Sequence, residues 1–212
     1  MHKPVINKAI SKLFKPKEIL FSEKFYRFLN RKKIVVFVPP EYVEKVAAEM
    51  SKAGAGRIGN YEMCSFRTAG TGTFKPGKNT KPFSGKKKFL SQVSEIKLEM
   101  ECDSLAVNKV TDALLNSHPY EETAYEIFDF RKREKKETGI IINLKAEMSS
   151  AGLMKRINRR SDTEVKDMIF KFRKIAIIHA AADEAILDSA KFTNCECVLS
   201  ILNKNHKLYK IH

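Results

Sequence analysis

Between Ser94 and Cys102 apolar and polar residues alternate strictly, with Ile96, Leu98, Met100 and Cys102 set against Glu95, Lys97, Glu99 and Glu101. Successive side chains of a strand point to opposite faces, so this pattern predicts a half-buried strand. Upstream, Ile34-Val35-Val36-Phe37-Val38 is a β-branched apolar run of strand length, closed by Pro39-Pro40. Val43, Val46, Ala47 and Met50 then recur at helical spacing. Gly54 and Gly56 are placed to end that helix. Cys64, Phe66 and Thr68 alternate with polar residues, as a second half-buried strand would, and Gly70 and Gly72 punctuate an extended piece ending near Phe74. Residues 75–91 carry prolines, glycines and many lysines and read as a loop. Asp103 or Ser104 can cap a helix whose apolar face is Leu105, Val110, Ala113 and Leu114. His118-Pro119 stops it, because the residue before proline avoids the α region. Ala124 to Phe130 alternate on a last strand.

The resulting order, β-α-β-β-α-β over residues 33–130, is that of a ferredoxin-like split βαβ sandwich, an α+β fold with helices on one face of an antiparallel sheet. The flanks are less regular. Residues 1–32 read as a helical lead: Ile6, Ile10, Leu13 and Phe14 form one short helix and Phe21, Phe25, Phe28 and Leu29 a second. The run Arg131 to Lys136 is charged throughout and reads as a hinge. From 131 to 212 follow the strand Ile140 to Ile142, a helix capped by Ser149 or Ser150, the strand Lys174 to Ile178, a helix through Ile186, Leu187 and Ala190, and a short strand Cys197 to Leu199. Alternating strands and helices imply parallel pairing in a partial α/β domain.

The chain has 212 residues, 43% of them hydrophobic, which suffices for one large domain or two small ones. No apolar run approaches the length of a membrane span, and the N-terminus lacks the apolar stretch of a secretory signal. The four cysteines, Cys64, Cys102, Cys195 and Cys197, form no C-x-x-C pair and have no ligands at zinc spacing. They read as reduced structural thiols in a cytoplasmic protein. Cys195 and Cys197, two apart, would share one face of a strand. The net charge of +15 attracts polyanions at long range. The basic residues are mostly lysine, which solvates a surface and neutralises phosphate but does not read bases in the bidentate manner of arginine.

Candidate chemistry concentrates in two places. The run from Gly54 to Gly77 contains Arg57, Asn60 and Tyr61, and the run that ends at Phe130 contains His118, Tyr120, Glu121 and Glu122. These seven residues are the candidate lining of a ligand-binding cleft, with hairpin and subunit-contact roles as the alternative for the glutamates. His118 is read first as a cation at a helix C-terminus, favoured by the helix dipole. Gly54-x-Gly56-x-x-Gly59 has the spacing of a dinucleotide fingerprint, but a helix precedes it and a strand follows, the reverse of what phosphate binding at a helix N-terminus needs. His179 follows a buried strand without a nucleophile or glycine-rich loop beside it, and His206 and His212 read as exposed. No catalytic residue is assigned.

Together Ala53 to Phe66, Gly70-Thr71-Gly72-Thr73-Phe74, Pro76 and His118-Pro119-Tyr120-Glu121-Glu122 resemble the PII/CutA-like insert of the Nif-three-like dinuclear-metal-centre proteins, the type 2 GTP cyclohydrolase I homologues. Glu147-Met148-Ser149, Lys174 to Ile178 and Ser200 to His206 resemble part of the second half of that family's core. The resemblance implies hexameric toroids, two divalent metals and metal-dependent hydrolase activity in the parent family. Its metal ligands are an early His-His pair with a following acidic residue, and a late His with a Glu four residues on, and none of them maps onto this chain. Ile201 and Leu202 stand at the Gly-Asp/Glu position, and His179-Ala180-Ala181-Ala182-Asp183 replaces the glycine-rich loop. The expectation is a truncated or diverged member without an intact metal site or cofactor of its own. It would be an oligomerising binding or structural protein, pairing with itself or with a separately encoded N-terminal half. The alternatives are weak polyanion or nucleic-acid binding, a PII-like small-molecule sensor, and one half of a split hydrolase. On this view the 131–212 section lacks cover for its apolar strands and is the least stable part.

Overall fold

The structure is a computed structural model and describes residues 10–158, 169–202 and 205–211. In chain order its elements are α1 (Ile10–Leu13), β1 (Ile19–Val38), α2 (Val43–Lys52), β2 (Phe66–Phe74), β3 (Ser91–Asp103), α3 (Val107–Ser117), β4 (Tyr125–Ser149), α4 (Ser150–Asn158), β5 (Lys171–Ile178), α5 (Glu184–Phe192), β6 (Cys197–Leu202) and β7 (Asn205–Lys210). They divide into two compact units, Asn30–Lys132, and Met1–Leu29 with Arg133–His212.

The Asn30–Lys132 unit is α+β and ferredoxin-like, with strand order β2-β3-β1-β4. β1 and β3 are antiparallel, Ile34 opposite Met100 and Val36 opposite Leu98. This register puts Ile34, Val36, Val38, Leu98, Met100 and Cys102 on one face, where α2 covers them with Val43, Val46, Ala47 and Met50 and α3 with Val110 and Leu114. Each of the larger of these side chains contributes about 1.5–3 kcal/mol on burial. Asp103 caps the turn before α3, its Oδ1 accepting from the Leu105 amide at 3.0 Å. Two expectations fail here. Leu105 is 95% exposed, because it sits in the 3-10 turn Ser104–Ala106 rather than on the face of α3. β2 begins only at Phe66, leaving Cys64 outside it, and the strand is exposed along nearly all its length rather than half-buried.

In the second unit the strand order is β1-β4-β5-β6-β7. β4 and β5 are antiparallel, with Gly139 opposite Ile178 and Ile142 opposite Ile175. β5 and β6 are parallel, and β6 and β7 antiparallel. The expected all-parallel arrangement therefore holds only for the β5–α5–β6 crossover. β5 is buried on both faces. Ile175 and Ile177 pack with Phe14, Leu153 and Phe172, while Ala176 and Ile178 pack with Phe25, Ile141 and Ile186. The apolar faces expected to stand uncovered are thus covered within the unit, and the lead segment supplies much of the cover through Ile10, Leu13, Phe14, Ile19 and Phe25. Arg156 fixes this segment by a fork onto Glu18 (2.8 and 2.9 Å) and a bond to the Leu13 carbonyl (2.8 Å).

Three further readings are corrected. Residues 21–29 are strand, not helix. Aromatic residues favour a pleated surface, and pairing outweighs a weak helical period. Arg131 to Lys136 is not a loop but the middle of the 25-residue β4, and the division between the two units falls within this run, between Lys132 and Arg133. Cys195 and Cys197 do not share a face: Cys195 precedes β6 and packs with α5, whereas Cys197 joins the core beside α1 and α4. All four cysteines are free thiols. The proposed first helix falls partly on residues outside those described, as does His212.

Candidate functional site

In the Asn30–Lys132 unit the β2–β3 connection folds back over the end of the sheet. β2 and β3 pair from Phe66–Glu99 to Phe74–Ser91, and the loop between them meets the turn that follows α3. Two contacts hold loop and turn together. The Lys81 amide donates to Glu121 Oε2 at 2.7 Å. The rings of Tyr42, Phe83, Tyr120 and His118 follow one another with centroid separations of 5.7, 5.7 and 4.9 Å, the outer two pairs edge to face and Phe83 tilted against Tyr120. Such pairs contribute about 0.5–1.5 kcal/mol each beyond burial.

Between them lies a cleft of about 280 Å³, lined by Gly72, Phe74, Phe83, Ser84, Glu95, Tyr120, Glu121 and Glu122 among others. Its floor depends on Gly72. A Cβ there would collide with Glu95 Oε2 and lie 2.7 Å from its carboxyl carbon, so the glycine lets the Glu95 carboxylate lie over the strand. Burial, reinforced by the negative charge of Glu95, pushes the Tyr120 phenol up to about 12.

His118 stands behind the cleft rather than in it. It is 8% exposed. Its Nδ1 accepts from the Tyr120 amide at 3.1 Å, and its Nε2 lies 3.0 Å from the Phe37 carbonyl oxygen. A carbonyl can only accept, so Nε2 carries the proton and the ring is the neutral tautomer. Burial pushes its pKa down from the ordinary value, against the opposing pull of the Phe37 carbonyl. The dipole-stabilised cation expected at this helix end is therefore replaced by a neutral pin between α3 and β1. Neither ring nitrogen is left for a ligand.

The other predicted residues are placed elsewhere. Arg57, Asn60 and Tyr61 are exposed in a tight turn in which Ile58 and Tyr61 exchange backbone hydrogen bonds of 3.0 Å. Arg57 reaches Glu62 at 4.0 Å. None of the three lines the cleft. Gly54, Gly56 and Gly59 all have positive φ, so the fingerprint spacing serves this turn. His179 is exposed in the loop after β5, and His206 is half-buried rather than exposed. The structure thus brings together Tyr120, Glu121 and Glu122. It adds Phe74, Phe83, Ser84 and Glu95, whose one sequence signal was Gly70-x-Gly72 before a strand carrying Glu95.

The chain is 37% identical over 151 residues to the GTP cyclohydrolase 1 type 2 homolog of Halalkalibacterium halodurans, an alignment covering 69% of this chain and 41% of that protein. It is 42% identical over 119 residues to the Bacillus subtilis homolog, covering 56% of this chain and 32% of that one. The chain belongs to the family of the GTP cyclohydrolase 1 type 2 homologues. Among solved structures, a Bacillus cereus protein related to NIF3 aligns over 90% of this chain and 52% of its own, at 28% identity and a TM-score of 0.46. No protein-family profile matches the chain. This member of the GTP cyclohydrolase 1 type 2 homologue family spans less than half the length of the curated relatives it matches. The metals that the resemblance implies find no fit among the described residues, where no group of three His, Cys, Asp or Glu side chains is placed to hold a metal ion. No helix among the described residues is long and apolar enough to cross a membrane.

Proposed function

We propose that this member of the GTP cyclohydrolase 1 type 2 homologue family is an oligomerising binding protein that takes a small molecule in the Tyr120 cleft and does no chemistry there. The observation that carries the reading is the cleft itself. It is concave, aromatic-walled and closed by a loop pinned at Glu121, and a few polar groups converge on it, as in ordinary small-molecule sites. Its lining offers no imidazole or thiol, and the nearest histidine has both nitrogens engaged. Self-association is supported by the exposed apolar side chains of β2 and β4, Phe66, Tyr125, Ile127 and Phe128.

Titration with a library of small metabolites, followed by amide shifts, is the test. Binding is expected to move resonances of residues 72–84 and 118–124. A library that leaves both segments unmoved would end this reading. Sedimentation is expected to show a species larger than one chain. The same protein works without a metal of its own in this view, so the purified chain should carry well under one equivalent of divalent ion. About two equivalents, the load of a two-metal site, would overturn that part.

A second reading rests on a hollow lined by Lys12, Lys15, Lys155 and Arg156 in the other unit. Added to the +15 charge, it supports weak polyanion binding, which should fall steeply with salt and ignore sequence.

A further inference from the structure

The cleft's charge runs against that of the chain. With a net charge of +15, most concave surface here would be expected to be basic. Yet Glu95, Glu121 and Glu122 all line this cleft, and no Lys, Arg or His does, including the lysines of its own loop, Lys75, Lys78, Lys81, Lys86, Lys87 and Lys88. Other glutamates of the unit are neutralised, Glu44 by Arg67 and Glu99 by Lys97. The three of the cleft have no ion-pair partner among the described residues. Three carboxylates around one concavity repel one another, a cost that a bound cation removes. A second feature points the same way. Ser84, half-buried, lines the cleft, and its Oγ has no hydrogen-bond partner among the described residues. Phe74, Phe83 and Tyr120 supply ring faces, which attract cations and favour organic ones.

We propose that the ligand of this cleft is a small organic cation, a protonated or alkylated amine, held by Glu95, Glu121 and Glu122 against the rings of Phe83 and Tyr120. The inference rests on the ligand-binding reading given above and narrows it. A nucleoside triphosphate, several times negatively charged, is excluded by the same three carboxylates.

The test uses the full chain and three probes that share one ring: benzyltrimethylammonium, benzyl alcohol and benzoate. Amide shifts at Gly72, Phe83 and Glu122 report the cleft, and affinities come from the titration curves. Benzyltrimethylammonium is expected to bind at least about tenfold more tightly than benzyl alcohol, a difference of about 1.4 kcal/mol. Benzoate should leave the cleft unmoved. Glu122→Gln, at an exposed position, should weaken the cation about three- to fivefold and leave benzyl alcohol unchanged. Equal binding of the cation and the alcohol, or tighter binding of benzoate, overturns the cation assignment and leaves the cleft a binding site. If none of the three moves these amides, the cation assignment falls, and the metabolite titration then decides whether the broader reading falls with it.

Discussion

Gly139→Ala is expected to destabilise the unit built on β4, β5 and β6 by about 3 kcal/mol, near the upper end of the usual cost of overpacking. Gly139 pairs with Ile178 across β4 and β5. A Cβ at this position would run into the Ile177 carbonyl oxygen and lie 3.0 Å from both the Ile177 carbonyl carbon and Ile178 Cγ2. The first two of these atoms are backbone and cannot rotate away. Relief therefore requires β4 to draw back from β5, which loosens the ladder from Gly139 to Asn143 and the packing of Ile141 and Ile142. Gly70→Ala is the control. Gly70 also lies in a strand, but a Cβ there would meet nothing within 4 Å, so its effect should stay within about 0.5 kcal/mol. Urea unfolding of both variants decides the matter. If Gly139→Ala unfolds with the wild-type midpoint, the β4–β5 register is wrong.

What the sequence made legible was whatever is encoded locally. The alternation from Ser94 to Cys102, the helical stripe Val43-Val46-Ala47-Met50 and the Asp103 cap each specify one element without reference to the rest, and each is found. Elements defined by their partners were misread. Residues 21–29 have both a weak helical period and aromatic β formers, and Phe25 becomes strand because a core that includes Ile141 and Ile178 awaits it. The charged run Arg131 to Lys136 reads as linker until its pairing is known. The site followed the same rule. Tyr120, Glu121 and Glu122 stood out as a compact motif. Phe83, Ser84 and Glu95 are scattered through a lysine-rich loop and an amphipathic strand, and only the folding back of that loop brings them together. Arg57, Asn60 and Tyr61 attracted attention through a glycine pattern that the structure spends on a turn.

Replacing His118 separates a structural pin from a ligand-contacting group. His118→Phe keeps an aromatic ring against Tyr120 but removes both hydrogen bonds, leaving the Phe37 carbonyl and the Tyr120 amide without their partner. Each such group costs about 1–3 kcal/mol when buried and unsatisfied, so a loss of about 2–4 kcal/mol is expected. The pH dependence follows from the direction of the shift. Burial holds the folded-state pKa below the ordinary 6.5. Above 6.5 the ring is neutral in both states and its contribution is complete. As pH falls below 6.5 the unfolded chain takes up the proton first, and stability declines until the folded-state pKa is passed. The wild type should lose stability over this window, since protonating Nδ1 abolishes its acceptance from the Tyr120 amide. His118→Phe should be weaker throughout but lack this part of the slope. Chemical denaturation from neutral pH down through the window measures both. A ligand-contacting histidine would behave in the opposite way, with wild-type stability retained in the variant and cleft binding lost. That result would return His118 to the site and remove the argument for its neutral tautomer.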